Sequence, residues 1–169
     1  ELWDLCMSAG DEYNIQPACP SLARSVEGGM LSYCSDITNA DNPFTVGMER
    51  LLDIDKPQNY IGKEALQRIA ISGPERRLVG ANFSGVPVTP NEEFLDVYHR
   101  GSAVGHITRC VYSPRLKHNI ALVNLPTELT KPGTNIKLNT HDGWQDAKVV
   151  KLPWFSSQKV IPSLQLGTR

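Results

Sequence analysis

From Leu78 onward one pattern repeats: a short β-prone run, then a turn. The runs are RLVGANF, FLDVYH, AVGHITRCVY, NIALVNL, NIKLN and DAKVVKLPW, and pairs such as Arg100-Gly101, Pro132-Gly133 and Asp142-Gly143 stand between them. Six strands at this spacing predict a small antiparallel barrel or sandwich. The texture before residue 75 is different, which divides the chain into an α+β part, residues 1–75, and an all-β part, residues 76–169.

In the first part, Leu2, Leu5, Cys6 and Ala9 recur at helical spacing, with Gly10 placed to end the helix as a left-handed cap. The prolines of YNIQPACP predict an extended connection, because each disfavours helix in the residue before it. A second helix is expected from about Ser21, with Leu22, Val26 and Met30 as one stripe and Ala23, Glu27 and Leu31 beside it. DITNADNPF reads as a polar turn and TVGMERLLDID as a strand. IGKEALQRIAI reads as a helix with Ala65, Leu66 and Ile69 inward, stopped by the SGP that begins at Ser72.

Composition removes several classes of function. Seventeen basic and eighteen acidic residues leave a net charge of -1, with no basic stripe for a phosphate backbone, so nucleic acid is not an expected partner. No apolar run approaches the roughly 20 residues of a membrane helix, so no membrane association is expected. Cys6, Cys19, Cys34 and Cys110 match neither CxxC zinc pairs nor a dense disulfide framework. They read as free thiols of a cytoplasmic protein. His99, His106, His118 and His141 lack HxxxH or HExxH spacing, and no metal site is expected. The start at Glu1, without an initiator methionine, reads as a piece of a longer chain.

One short stretch raises a question. SVEGGMLSY places Gly28 and Gly29 directly after Glu27, where continued helix would lose roughly 2 kcal/mol to two glycines. Two readings of the carboxylate stand side by side. Arg24 and Glu27 are three positions apart, which suits an ordinary surface ion pair with glycines that permit tight helix packing. Alternatively, the glycines clear the approach of a flat ligand to the carboxylate. Ser113, in YSP, has no GxSxG elbow around it, so nucleophilic hydrolysis is not expected; nor is there a P-loop or a GxGxxG after a strand.

Taken in order, CPSLARSVEGGMLSY, DITNADNPFTVG, YIGKEAL, RRLVG, VGHITRCVYSPRLKHNIALV and VVKLPW resemble the second half of the glycine-cleavage T-protein family of tetrahydrofolate-dependent one-carbon transferases. CPSL, the double glycine and GPERRLVG are most similar to its dimethylsulfoniopropionate demethylase branch. PQNYIGKEAL departs from the KGCYxGQE signature of the iron-sulfur-assembly relatives. The resemblance implies the remnant of a ferredoxin-like α/β lobe followed by a C-terminal antiparallel six-stranded β-barrel. It implies tetrahydrofolate as cofactor, a small methyl or aminomethyl donor, and N-terminal lobes that this chain lacks and that carry the catalytic acid.

The resemblance also makes Glu27 the folate-binding glutamate, whose two oxygens would match the amine and ring N–H on one edge of a pterin. Arg76 resembles a family position near the folate's glutamate tail or pterin, although the doublet Arg76-Arg77 leaves the register open and a solvated charge is the other reading. Tyr33 and Tyr112 are candidates for the channel wall or for the core. The tail SSQKVIPSLQLGTR has no tyrosine where the aminomethyltransferases often carry one. The implied activity is that of a methyl or aminomethyl transferase, inactive as this piece alone, either a demethylase of a small methylated donor such as dimethylsulfoniopropionate or a glycine-cleavage aminomethyltransferase. A noncatalytic β-barrel binding module with a helical arm is the alternative of another class.

Overall fold

A computed structural model describes residues 1–17 and 20–155. Cys19 and the tail from residue 156 lie outside the described residues. Three α-helices, α1 (Leu2–Gly10), α2 (Leu22–Glu27) and α3 (Lys63–Ser72), precede six strands: β1 (Arg76–Phe83), β2 (Leu95–His99), β3 (Ser102–Ser113), β4 (His118–Pro126), β5 (Asn135–Thr140) and β6 (Gly143–Val150). The strands close into a barrel in the order β1-β4-β3-β2-β5-β6, with β6 returning to β1 and every pair antiparallel. Closure leaves no sheet edge open to another chain. The six expected runs are the six strands, except that the last begins at Gly143 and ends at Val150, so Lys151–Trp154 leave the sheet.

The strand NIALVNL shows why the run is apolar without interruption. Successive side chains of a strand face opposite sides, and both sides of β4 are covered. Ala121, Val123 and Leu125 fill the barrel interior with Phe83, Val97, Ile107, Leu138 and Val149. Ile120 and Leu122 point outward into a second cluster with Val26, Leu78 and Val111, capped by Leu31, Leu152 and Trp154. Through Val26, α2 is therefore part of the barrel's packing.

A β-bulge in β3 sets what faces α2. Ile107 pairs with Val123 but Arg109 pairs with Leu122, so Thr108 is the extra residue. Before the bulge Ile107 points into the barrel; after it Cys110 points in while Val111 and Ser113 point toward α2. Asn91 pins the bulge, its amide donating to Thr108 C=O at 3.0 Å and its side-chain oxygen accepting from Cys110 N–H at 2.7 Å.

Several local expectations change. Gly28 and Gly29 are not inside a helix: α2 stops at Glu27, Gly28 is its cap, and Gly29 has φ of +62°. Gly29 N–H bonds Val26 C=O and Met30 N–H bonds Ser25 C=O, both at 2.9 Å, the paired bonds of a left-handed glycine stop. Met30 consequently leaves the expected stripe and is exposed. TVGMERLLDID is not a strand. Asn42 Oδ1 accepts from the N–H groups of Phe44 and Thr45, Gly47 turns left-handed, and Glu49–Leu51 form a 3-10 turn, so local polar bonds and a turn override the alternation.

Gly10 is the last residue of α1 but not a left-handed cap, since its φ is -95°. The chain continues as a 3-10 turn to Tyr13 and stops at Asn14, φ +52°, while a Cβ on Gly10 would lie 2.1 Å from Ile15 Cδ1. In α3, Leu66 and Ile69 are half-buried but Ala65 is exposed. Among the described residues, no helix is long and apolar enough to cross a membrane.

Candidate functional site

Glu27 is the last residue of α2 and is only 5% exposed. A buried carboxylate requires partners, and the barrel supplies one: Ser113 Oγ, at the end of β3, donates to Glu27 Oε1 at 2.5 Å while accepting Leu116 N–H at 3.0 Å. The backbone is held as well, by Trp154 N–H donating to Glu27 C=O at 3.1 Å. Among the described residues no donor serves Glu27 Oε2 and no ion pair joins Arg24 to Glu27. The surface ion pair is therefore not the explanation of this carboxylate.

Glu27 lines a hollow of about 800 Å³ with Arg24, Gly28, Pro114, Arg115 and Phe155. Arg115 lies over the Phe155 ring, 3.6 Å from its centroid, a cation-π contact that forms one side of this hollow. Gly28 also lines a second hollow of about 840 Å³, which holds Gly29, Gly47, Glu49, Arg50, Arg77 and Lys151. Here Arg77 Nη1 donates to Glu49 Oε1 at 2.9 Å. Burial works against ionisation of Glu49, but the Arg77 hydrogen bond and charge outweigh it and lower its pKa. Glu49 Oε2 is buried without a partner among the described residues.

Arg76 and Glu27 are not brought together. Arg76 faces Pro126 at one end of β4, whereas Ser113 faces His118 at the other, roughly 25 Å away at strand rise. Arg76 Nε donates to Asn124 Oδ1 at 3.0 Å, and Nη2 donates to the carbonyls of Val104 at 2.9 Å and Asn124 at 3.1 Å. Of the arginine doublet, Arg77 is the member that lies in a hollow beside Gly28. Tyr33 is exposed, with its hydroxyl donating to Asn39 Oδ1 at 3.1 Å, and Tyr112 is half-buried.

Sequence reasoning missed a buried network beside Glu27. Arg109 Nε donates to Asp36 Oδ1 at 3.0 Å and Nη2 meets Asp36 Oδ2 at 2.5 Å. Thr108 Oγ1 donates to Asp36 Oδ1 at 2.7 Å, and Ser32 N–H to Oδ2 at 2.8 Å. Removing one partner from a buried pair of this kind costs about 3–5 kcal/mol. No spacing could have announced it, since Asp36 stands 72 and 73 positions before Thr108 and Arg109. The sequence around Ser113 speaks only to nucleophilic chemistry, and its service to a carboxylate 86 positions earlier is a tertiary fact.

Comparison with known proteins follows the same lines. Residues 76–156 match the family described as glycine cleavage T-protein C-terminal barrel domain. An aminomethyltransferase of Synechococcus sp. (strain CC9311) is 34% identical over 158 residues, 92% of this chain and 41% of that protein. The dimethylsulfoniopropionate demethylase of Ruegeria pomeroyi is 30% identical over 153 residues, 90% of this chain and 41% of that protein. An aminomethyltransferase of Synechococcus sp. (strain CC9902) is 36% identical over 130 residues, 77% of this chain and 35% of that protein.

The chain spans about two fifths of the length of these relatives. In fold it is similar to the glycine cleavage system aminomethyltransferase T of Bartonella henselae, with a TM-score of 0.67 and 21% identity over 79% of this chain and 37% of that one. By its closed barrel and the match over residues 76–156, the chain belongs to the glycine cleavage T-protein C-terminal barrel domain family, and its similarity to the aminomethyltransferase and demethylase relatives runs along nine tenths of its length.

Proposed function

We propose that the chain is the C-terminal part of a tetrahydrofolate-dependent one-carbon transferase, in which Glu27 holds the amino edge of the pterin. One observation carries this reading: a buried carboxylate with one oxygen pinned by Ser113 and the other without a protein donor among the described residues, on the wall of a hollow. A pterin edge presents two donors, and a charge-assisted pair of hydrogen bonds to them is stronger than its neutral counterpart. Gly28, lacking a side chain, borders both hollows and keeps the approach between them low. A bound folate would supply the nitrogen that accepts the one-carbon unit, while the chain's residues would bind it, orient it and exclude water.

For the anionic tail, Arg77 is better placed than Arg76. Three of the hydrogen bonds of Arg76 are already committed to Asn124 and Val104, whereas Arg77 gives only Nη1 to Glu49 in the hollow that Gly28 borders. As donor we favour a small methylated compound such as dimethylsulfoniopropionate, supported by the CPSL, EGG and GPERRLVG stretches and by the likeness to the Ruegeria enzyme. The aminomethyl reading keeps the support of the Synechococcus relatives. Free thiols at Cys6, Cys34 and Cys110 fit a reducing cytoplasm.

Calorimetric titration with 5-formyltetrahydrofolate, a stable reduced folate, tests the site. Glu27→Gln exchanges a charged acceptor for a neutral amide and is expected to weaken binding by more than about tenfold. Equal affinity of the two proteins would remove the assignment. The donor is decided by product formation from a sulfonium compound against an aminomethyl-lipoyl carrier in a protein that includes the remaining length of the family.

A further inference from the structure

We infer that Arg109 is a positioning residue for Glu27, an inference that rests on the folate reading above. The guanidinium is fixed at one end by Asp36 and at the other grips the turn that carries Glu27. Nη1 donates to Ser25 Oγ at 3.0 Å, and Nη2 donates to the carbonyl of Met30. Ser25 lies two residues before Glu27 and Met30 three after it, so one rigid fork holds both flanks of the segment. The same two residues are joined by the Met30 N–H to Ser25 C=O bond that closes α2.

The direction of the carboxylate is thus set from β3 twice. Arg109 holds the Ser25 hydroxyl on one side of Glu27 and the Met30 carbonyl on the other, and Ser113, four positions further along the strand, holds Oε1. The bulge at Thr108 turns both side chains to the α2 face. A lysine at 109 would preserve the charge opposite Asp36, but a single ammonium cannot reproduce a planar fork that reaches Asp36, Ser25 and Met30 together. The carboxylate would then keep its chemistry and lose its aim, and small misplacements of a binding group cost affinity steeply.

The experiment uses a protein that includes the remaining length of the family and measures 5-formyltetrahydrofolate affinity and urea unfolding midpoints for it unsubstituted, with Arg109→Lys, Ser25→Ala or Glu27→Gln, and with each of the first two combined with Glu27→Gln. Arg109→Lys is expected to weaken binding about tenfold and Ser25→Ala about threefold, while either adds less than about twofold in the Glu27→Gln background, because groups that act through one another are not additive. Val97→Ala, inside the barrel on β2, serves as a control that lowers the midpoint without changing affinity.

Equal losses in both backgrounds, or unchanged binding in Arg109→Lys and Ser25→Ala, overturn the positioning role and leave the Glu27 assignment standing. Unchanged binding in Glu27→Gln, or no saturable binding to the unsubstituted longer protein, overturns that assignment and this inference with it. Ser25→Ala loses only a hydroxyl and carries the comparison should Arg109→Lys not fold.

Discussion

At the scale of single residues, burial decides which groups are chemically available. Cys110 points into the barrel, its Sγ 3.7 Å from Thr89 C=O, and burial raises its pKa to about 11 from the model-peptide value of 9.0. A thiol whose folded pKa is raised favours the native state as long as it stays protonated. That contribution is complete below about pH 9 and disappears as the pH climbs to about 11, where the unfolded chain ionises first. Urea unfolding between pH 8 and 11 should show stability falling across this window, and Cys110→Ala should flatten that part of the profile. Glu27 was legible as a functional candidate because its neighbours are glycines. The roles of Ser113, Asp36 and Arg109 were not, because a hydrogen bond spanning more than 70 positions leaves no local pattern.

At the scale of elements, the strands were legible because the barrel interior demands apolar residues at alternate positions, joined on β4 by the covered outer face, and the turns demand glycine. The helices were less so, since their ends are decided by a few dihedral angles. Gly28 and Gly29 illustrate the difference. Gly28 has φ of -78°, within reach of alanine, and its added Cβ would meet Arg24 O at 3.3 Å and Met30 Cγ at 3.7 Å. Gly29, at φ +62°, lies where an L side chain is strained by about 1–2 kcal/mol. Thermal melting should therefore show Gly29→Ala destabilised by about that amount and Gly28→Ala unchanged or slightly raised. Folate affinity, in contrast, should fall in Gly28→Ala, whose methyl intrudes between the two hollows. A Gly28→Ala protein of full affinity would mean that the missing side chain serves only the helix stop.

At the scale of the whole molecule, the chain pairs a closed, well-packed barrel with a helical front that has little of its own to pack against. Leu2, Trp3 and Leu5 on α1 are 76%, 62% and 64% exposed, and α3 buries no residue fully. Local opening follows such differences in buried apolar contact. Hydrogen exchange should accordingly protect the amides of β1, β3 and β4 most strongly and α1 and α3 least, with α2 following the barrel through Val26; equal protection of α1 and β4 would contradict this order. The change of texture near residue 75 carries no sign that α2 packs on the barrel through Val26.

The bulge at Thr108 gives β3 a parity. From Gly105 to Ile107 the strand is in one phase and from Arg109 to Ser113 in the other, so gaining or losing a single position there acts as a frameshift acts on a gene. Cys110 and Ser113 would exchange sides of the wall without any change in their identity. The side of this barrel that faces α2 is thus encoded as much by the count of residues as by their kind.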